Sequence, residues 1–191
     1  MSIHIYLASA SPRRKELLAQ LPVEFDQFAT DIDETHHHGE SAEQFVIRLA
    51  EEKAKAGVRL AERNSPVLGS DTVVVLNDTI LGKPRDHEDA KNTLMSLSGK
   101  THRVLTAIAF ANKNKVKSAL VSTDVSFKLL TMGEIKQYIA TGEPFDKAGS
   151  YGIQGQAGRF VTNINGSYFA VMGLPLYETA ELLHLFLEEN S

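Results

Sequence analysis

The order of apolar and polar residues predicts many short strands along the chain. Apolar runs or apolar–polar alternation mark Ile3–Ala8, Val23–Phe28, Val67–Gly69, Thr72–Leu76, Thr79–Leu81, Arg103–Ala111, Val116–Leu130, Phe160–Ile164 and Tyr168–Met172. The polar residues 112–115 and the pair Asn165-Gly166 each predict a β-hairpin between the flanking strands.

Capping residues mark the expected helices. Ser41 and Gln44 form a capping box before a long helix from Ala42 to about Glu62. Its buried face is expected to carry Phe45, Leu49, Ala56 and Leu60. Further helices are expected at Lys15–Leu21, at His87–Leu97, from a second capping box at Thr131 and Glu134 to Gly142, and from Pro175 to Leu187. Hairpins together with strand–helix crossovers indicate an α/β fold with a mixed sheet.

Composition and charge fit one globular domain over residues 1–191. The chain is 42% hydrophobic and contains no internal repeat or linker. A net charge of −4 argues against a nucleic-acid or membrane partner, because such partners favour a basic surface. The chain has no cysteine, no signal-peptide pattern and no apolar stretch long enough to cross a bilayer. We therefore expect a cytoplasmic protein.

The segment after the first strand has the residues of an anion-binding site. Ser11 is a good N-cap and Pro12 suits the first position of a helix. The free N–H groups of this helix start are therefore expected beside Ser9, Arg13 and Arg14. Arginine forks match phosphate oxygens, which favours a phosphate cradle. A capped surface helix that happens to begin with two arginines is the alternative.

Carboxylates occur at two places that suit a metal ion or a general base. Asp71 lies beside Gly69 between two predicted strands, where α/β folds expose functional groups. The alternative is an aspartate that caps its own turn. Asp31, Asp33 and Glu34 follow the second strand and offer the hard oxygen ligands that Mg²⁺ and Mn²⁺ prefer. An ordinary solvated loop explains them equally well.

Two lysines and a glycine-rich segment are further candidates. Pro84 imposes an extended backbone on Lys83, and Lys53 falls at the edge of the apolar face of the long helix. A helix-entry loop and a solvated helix face are the alternatives. The glycines of Phe145–Gly155 allow the backbone to approach a ligand closely, and Gln154 can hydrogen-bond a base. A flexible connection is the other interpretation of that segment.

Taken in order, these segments resemble the Maf family of nucleoside triphosphate pyrophosphatases. The likeness rests on Ser9-Ala10-Ser11-Pro12-Arg13-Arg14, Gly69-Ser70-Asp71-Thr72, Gly82-Lys83-Pro84 and Asp146–Gly155, with Glu34 and Arg48…Glu52-Lys53 at matching spacing. The resemblance implies an elongated mixed β-sheet flanked by helices, and two lobes around a deep cleft, similar to the inosine triphosphate pyrophosphatases. It also implies a homodimer and a divalent cation, Mg²⁺ or Mn²⁺.

The resemblance implies cleavage between the α- and β-phosphates, which yields a nucleoside monophosphate and pyrophosphate. The positions that match the family's active site are Ser9, Arg13, Arg14, Glu34, Lys53, Asp71 and Lys83. On our hypothesis, Asp71 is the general base for water and binds the metal together with Glu34. The basic residues of this set would hold the triphosphate and stabilise the charge on the leaving pyrophosphate.

Three positions distinguish two branches of the family. Arg13, Thr72 and Gln154 match the branch that acts on dTTP and UTP, whereas the branch that acts on 7-methyl-GTP tends to carry Trp, Gln and Glu there. The amide of Gln154 both donates and accepts, which matches the imide edge of uracil or thymine. We therefore expect hydrolysis of dTTP and UTP, with modified pyrimidine nucleotides as further candidates.

A non-catalytic nucleotide sensor is the main alternative to an enzyme. Such a protein would need Arg13 and Lys83 to bind phosphate, but it would have little use for Asp71 or Glu34 beside phosphate oxygens. The acidic residues therefore favour catalysis.

Overall fold

The architecture comes from a computed structural model, which describes residues 3–188. Its strands are β1 (Ile3–Ala8), β2 (Val23–Phe28), β3 (Val67–Leu76), β4 (Thr79–Leu81), β5 (Thr101–Ala111), β6 (Val116–Phe127) and β7 (Val161–Asn165). Its helices are α1 (Pro12–Leu18), α2 (Ala42–Leu60), α3 (His87–Leu97), α4 (Met132–Ile139), α5 (Tyr168–Met172) and α6 (Leu176–Glu188). Three 3₁₀ turns cover Glu143–Asp146, Ala148–Ser150 and Gln156–Phe160.

The seven strands form one mixed sheet in the order β2-β1-β3-β5-β6-β7, with β4 paired to β3. Strand β1 runs parallel to both β2 and β3, whereas β4 is antiparallel to β3 and β7 is antiparallel to β6. Parallel pairs require crossover connections, and α1 and α2 supply them. The expected α/β fold with a mixed sheet flanked by helices is confirmed.

The chain divides into two compact units. Unit 1 consists of Met1–Asp71, Thr106–Val121 and Gly173–Ser191, and unit 2 consists of Thr72–Leu105 and Ser122–Met172. Leu94, Tyr138 and Phe160 are fully buried in the core of unit 2. Within residues 3–188, no helix has both the length and the apolar character needed to span a membrane.

Helix α2 begins where the sequence predicts, at a complete capping box between Ser41 and Gln44. Its buried face contains Phe45 and Leu49 as expected but differs from the prediction at Ala56 and Leu60. Leu60 is 56% exposed and Ala56 is only half-buried, whereas Ala50, Ala54 and Gly57 are buried. Small residues allow the helix backbone to approach the sheet closely, so they form the contact face in the second half of the helix, after Leu49.

Strand β3 corrects the expectation of two short strands around Gly69-Ser70-Asp71. Val67–Leu76 is one continuous strand, and nearly every residue in it is buried. The glycine does not break the strand, because its missing side chain makes room for the backbone of α2 at Ala50 and Ala54. Asp71 therefore lies inside a strand and is not part of a turn.

The hairpin predicted at Asn165-Gly166 is also wrong. Strand β7 ends at Asn165, and the following segment is the short helix α5. Ser167 caps this helix, since its Oγ accepts from the N–H of Ala170 at 3.1 Å. A side-chain cap one residue past the glycine thus competes successfully with the hairpin signal.

Candidate active site

Three of the sequence-predicted residues meet in unit 1. The Nζ of Lys53 lies 2.6 Å from Oδ1 of Asp71 and 2.8 Å from Oε1 of Glu34. Lys53 and Asp71 are buried, whereas the side chain of Glu34 is 56% exposed. One ammonium therefore bridges a buried carboxylate from β3 and a carboxylate from the segment between β2 and α2.

Close packing of α2 on β3 brings Lys53 to Asp71. A Cβ added at Gly69 would lie 2.2 Å from the carbonyl oxygen of Ala50 and 2.6 Å from the nitrogen of Ala54. The helix can approach this closely only because residue 69 has no side chain. Lys53 lies on the same buried face of α2, so its ammonium reaches the carboxylate of Asp71 in β3.

The segment predicted to bind an anion begins with the helix cap that the sequence indicates. Ser11 caps α1, and its Oγ accepts from the N–H of Arg14 at 3.4 Å. Ser9 is buried, and its Oγ accepts from the N–H of Ser11 at 3.2 Å. The amide of Gln27 in β2 donates to the carbonyl of Ser9 at 2.7 Å, which fixes this corner of the backbone. Helix α1 itself ends at Leu18, three residues before the predicted end.

Arg14 and Ser70 are anchored on the same carbonyl. The Nε of Arg14 donates to the oxygen of Gly173 at 2.9 Å, and the Oγ of Ser70 donates to it at 3.0 Å. Burial lowers the pKa of Arg14, and the charge of Arg13 acts in the same direction, while Asp71 and Glu34 oppose both effects. Arg13, Asp71 and Glu34 are therefore all close enough to Arg14 to interact electrostatically with its guanidinium.

The acidic cluster contributes one residue to this site. Asp31 and Asp33 are exposed. Asp33 accepts from the N–H of Thr35 at 2.9 Å, and its pKa is lowered mainly by hydrogen bonding to the Thr35 side chain and next by this backbone bond. Asp33 therefore behaves as a local turn residue, and Glu34 alone of the three contacts Lys53.

A divalent cation has two carboxylates available here. Within residues 3–188, no three His, Asp or Glu side chains are arranged to hold a metal ion. Glu34 and Asp71 nevertheless lie close enough to bond one ammonium, so they can share one cation. Two carboxylates completed by phosphate oxygens and water are a donor set that suits Mg²⁺.

The other predicted residues belong to unit 2. Lys83 is exposed after β4, in a segment that is fixed by a 3.0 Å hydrogen bond from the N–H of Gly149 to the carbonyl of Gly82. Thr72 is half-buried in β3, directly after Asp71. Gln154 is exposed in a tight turn in which the N–H of Gly155 donates to the carbonyl of Gly152 at 3.1 Å.

Sequence reasoning missed the residues that hold the turn carrying Gln154. The carboxylate of Glu143 accepts from the hydroxyl of Tyr138 at 2.8 Å and from the N–H of Gln156 at 3.0 Å. Burial, followed by the bond to Glu143, raises the pKa of Tyr138 above its ordinary range. A Cβ at Gly155 would lie 2.0 Å from Oε1 of Glu143, so this glycine lets the carboxylate reach the turn. Gly155 was the only residue of this contact that the sequence analysis had singled out, as part of a glycine-rich segment.

A buried histidine supports the start of the same segment. Nε2 of His102 lies 2.8 Å from the hydroxyl of Tyr151, and burial lowers the pKa of His102 to about 4. The imidazole is therefore neutral at pH 7 and packs edge-on against both Tyr151 and Phe127. Its contacts with Tyr151 stabilise the glycine-rich segment.

Comparison with known proteins agrees with the resemblance. A family described as Maf-like protein matches residues 4–186. The dTTP/UTP pyrophosphatase of Pseudoalteromonas translucida (strain TAC 125) is 59% identical over 187 residues, covering 98% of this chain and 99% of the relative. The dTTP/UTP pyrophosphatase of Escherichia coli O157:H7 is 57% identical over 182 residues, covering 95% of this chain and 92% of the relative.

Two solved structures also resemble this chain, although weakly. The Ham1 protein of Staphylococcus aureus has a TM-score of 0.46 at 17% identity and covers 98% of this chain and 100% of its own. The HAM1 protein of Coxiella burnetii has a TM-score of 0.45 at 18% identity, covering 65% of this chain and 73% of its own. Likenesses at this level say nothing about activity.

Proposed function

This chain belongs to the Maf family, and we propose that it is a nucleoside triphosphate pyrophosphatase that hydrolyses dTTP and UTP. Relatives that are 59% and 57% identical over nearly the whole chain carry that name. The observation that carries the proposal is the buried Asp71, held by Lys53 at 2.6 Å beside Glu34 and within the field of Arg14. This arrangement combines a positioned base with cationic groups that suit phosphate.

The proposed reaction is attack of water on the α-phosphorus. The new bond joins the water oxygen to phosphorus, and the bond from phosphorus to the α–β bridging oxygen breaks. The products are the nucleoside monophosphate and pyrophosphate. Asp71 takes the proton from the attacking water, since Lys53 bonds its Oδ1 and leaves Oδ2 to accept. The ammonium also holds the carboxylate in one orientation.

Glu34 and Asp71 are the residues that would hold a divalent cation. The cation, Mg²⁺ or Mn²⁺, would offset negative charge on the phosphate groups. Lys53 lies between the two carboxylates and keeps them close despite their like charge. The lysine thus prepares a pair of anionic ligands that would otherwise repel one another.

The remaining residues are proposed to bind the substrate. Ser9, Arg13 and Arg14 hold phosphate oxygens, and Lys83 stabilises the charge that develops on pyrophosphate. Thr72 and Gln154 select the pyrimidine base. The exposed amide of Gln154 supports this role, because it is free to meet the imide edge of uracil or thymine.

Two further properties belong to the proposal, the location of the protein and its oligomeric state. We propose that the enzyme acts in the cytoplasm, where its nucleotide substrates are made and used, and that it forms a homodimer. Light scattering on the purified protein measures the mass of the particle directly. The mass of one chain, 21.0 kDa, would contradict the dimer.

The test is pyrophosphate release with Mg²⁺ or Mn²⁺ from dTTP, UTP, CTP, ATP, GTP and 7-methyl-GTP. We expect turnover of dTTP and UTP, with the matching monophosphate as the second product. Turnover of 7-methyl-GTP alone would overturn the branch assignment drawn from Arg13, Thr72 and Gln154 and leave the chemistry intact. Binding of nucleotides without turnover would overturn the enzyme proposal.

A further inference from the structure

We propose that Arg48 is a positioning residue that holds Glu34 in place beside Lys53. The inference rests on the proposed function, in which Glu34 takes part in the reaction. It concerns the segment of residues 29–41, which contains neither helix nor strand. Arg48 lies on the neighbouring helix α2 and bonds this segment at two points.

The first point is the peptide next to Glu34. Nη2 of Arg48 donates to the carbonyl oxygen of Thr35 at 2.9 Å. Because Thr35 follows Glu34 directly, this bond fixes the backbone from which the Glu34 side chain departs. The orientation of the carboxylate toward Lys53 therefore depends on a guanidinium that does not itself touch Lys53 or Asp71.

The second point is a two-pronged ion pair with Glu40. Nε of Arg48 donates to Oε1 at 2.7 Å and Nη2 donates to Oε2 at 3.0 Å, and only 18% and 10% of the two side chains are exposed. The N–H of His37 donates to the same carboxylate at 3.1 Å. The Arg48 bonds lower the pKa of Glu40 to about 2, so the pair is charged at neutral pH.

The guanidinium is itself fixed on α2. Its Nη1 bonds Glu52 one helical turn later at 3.3 Å, and its Cζ lies 5.5 Å from the ring centre of Phe45. A planar fork with several simultaneous partners is a role that arginine fills and lysine does not. Arg48 therefore connects the rigid helix that carries Lys53 to the irregular segment that carries Glu34.

The experiment is a double-mutant cycle between Arg48→Gln and Glu34→Gln, measured by kcat and KM on dTTP. We expect Arg48→Gln to lower kcat by about ten- to a hundredfold with little change in KM, since small displacements of a reacting group cost this much. In the Glu34→Gln background, assayed at raised enzyme concentration, the same change should cost less than about twofold. Losses that multiply in the double variant would overturn the proposal.

The bonds from Arg48 to Thr35 and Glu40 form a clamp on residues 33–40. Hydrogen exchange tests this clamp without relying on catalysis. In Arg48→Gln, the amides of residues 33–40 should exchange faster than in the wild type, while those of β3 remain unchanged. Unchanged exchange in the segment would overturn the proposal even if activity fell. Absence of pyrophosphatase activity in the wild type would instead overturn the proposed function.

Two matched variants complete the design. Glu40→Gln removes the charge from the other side of the clamp with the same side-chain shape, so it tests the proposal if Arg48→Gln fails to fold. It should lower kcat in the same direction as Arg48→Gln. Arg59→Gln changes an exposed arginine on the same helix and should leave kcat and the exchange of residues 33–40 unchanged. A similar loss in Arg59→Gln would show that the charge of α2 matters and not the clamp.

Discussion

Two irregular segments carry predicted site residues, and they are held in opposite ways. Residues 29–41 in unit 1 have no regular structure, and a guanidinium from another element bonds them at Thr35 and Glu40. In unit 2, residues 143–160, which include the glycine-rich segment, contain three 3₁₀ turns and several hydrogen bonds between near neighbours. The first segment is held by a charged side chain from α2, and the second is held by its own backbone bonds together with the side chains of Tyr138 and Glu143.

This difference matches the two tasks that the proposal assigns. Glu34 in the first segment works beside Asp71, where the reaction needs fixed distances between charged groups. Gln154 in the second segment is exposed at a turn and reads the base. Damage to the unit 1 residues should therefore lower the rate with every substrate. Damage to the unit 2 segment should change which substrate is preferred.

The largest effect on catalysis is expected from Asp71→Asn. The amide cannot take a proton from water, so kcat should fall by at least about a hundredfold with both dTTP and UTP. The variant should fold, because Oδ1 of the new amide still accepts from Lys53, and the loss of stability should be about 1–2 kcal/mol. Pyrophosphate release and thermal melting measure the two quantities.

Asp31→Asn is the matched control for this variant. It removes an exposed carboxylate from the acidic cluster and should leave kcat within about twofold of the wild type. Near-normal turnover by Asp71→Asn would contradict the role of Asp71 as the base. Equal losses in both variants would point to overall charge in place of a specific group.

The next largest effect is expected from Gly69→Ala. The new methyl would lie 2.2 Å from the carbonyl oxygen of Ala50, so α2 must move away from β3. We expect a loss of about 3 kcal/mol in the free energy of unfolding, measured by urea denaturation. The displaced helix carries Lys53 away from Asp71, so kcat should fall even at temperatures where the variant is fully folded.

Gly133→Ala provides the contrast in unit 2. Gly133 lies in α4, and a Cβ there would meet only the hydroxyl oxygen of Thr131, at 3.9 Å. Alanine should stabilise this helix by about 0.5–1 kcal/mol, because glycine loses more conformational freedom on folding. A stabilised Gly69→Ala would show that α2 and β3 are not packed at this glycine.

Local signals accounted for most of the fold, and the errors have physical causes. The capping boxes at Ser41 and Thr131 are present as predicted, because a cap needs only residues that are close in sequence. The face of α2 was wrong at Ala56 and Leu60, since small residues decided where the helix meets the sheet. A contact between elements cannot be obtained from the periodicity of one element.

The same limit applies to the site. The sequence indicated Lys53, Asp71 and Glu34, and the structure joins them at 2.6 and 2.8 Å. It gave no role to Glu143, and Arg48 entered only through its spacing, because each acts on a segment that a linear pattern does not connect to it. Residues that do chemistry carry recognisable side chains in short motifs, whereas residues that hold them are found only through their contacts.

The smallest effect on catalysis is expected from Tyr138→Phe. The change removes the hydroxyl that donates to Glu143 at 2.8 Å and accepts from the N–H of Gly152 at 3.3 Å, while the ring keeps its edge-on packing against Phe160. Stability should fall by about 1–2 kcal/mol.

If the turn at Gln154 reads the base, this variant should narrow the preference for dTTP over CTP by a few-fold. Since Tyr138 lies in a different unit from Asp71, kcat on dTTP should fall less than it does in Arg48→Gln. The ratio of kcat/KM for the two nucleotides checks the expectation. An unchanged ratio together with a large fall in kcat would reverse the comparison, because the unit 2 segment would then support the reaction itself and not the choice of substrate.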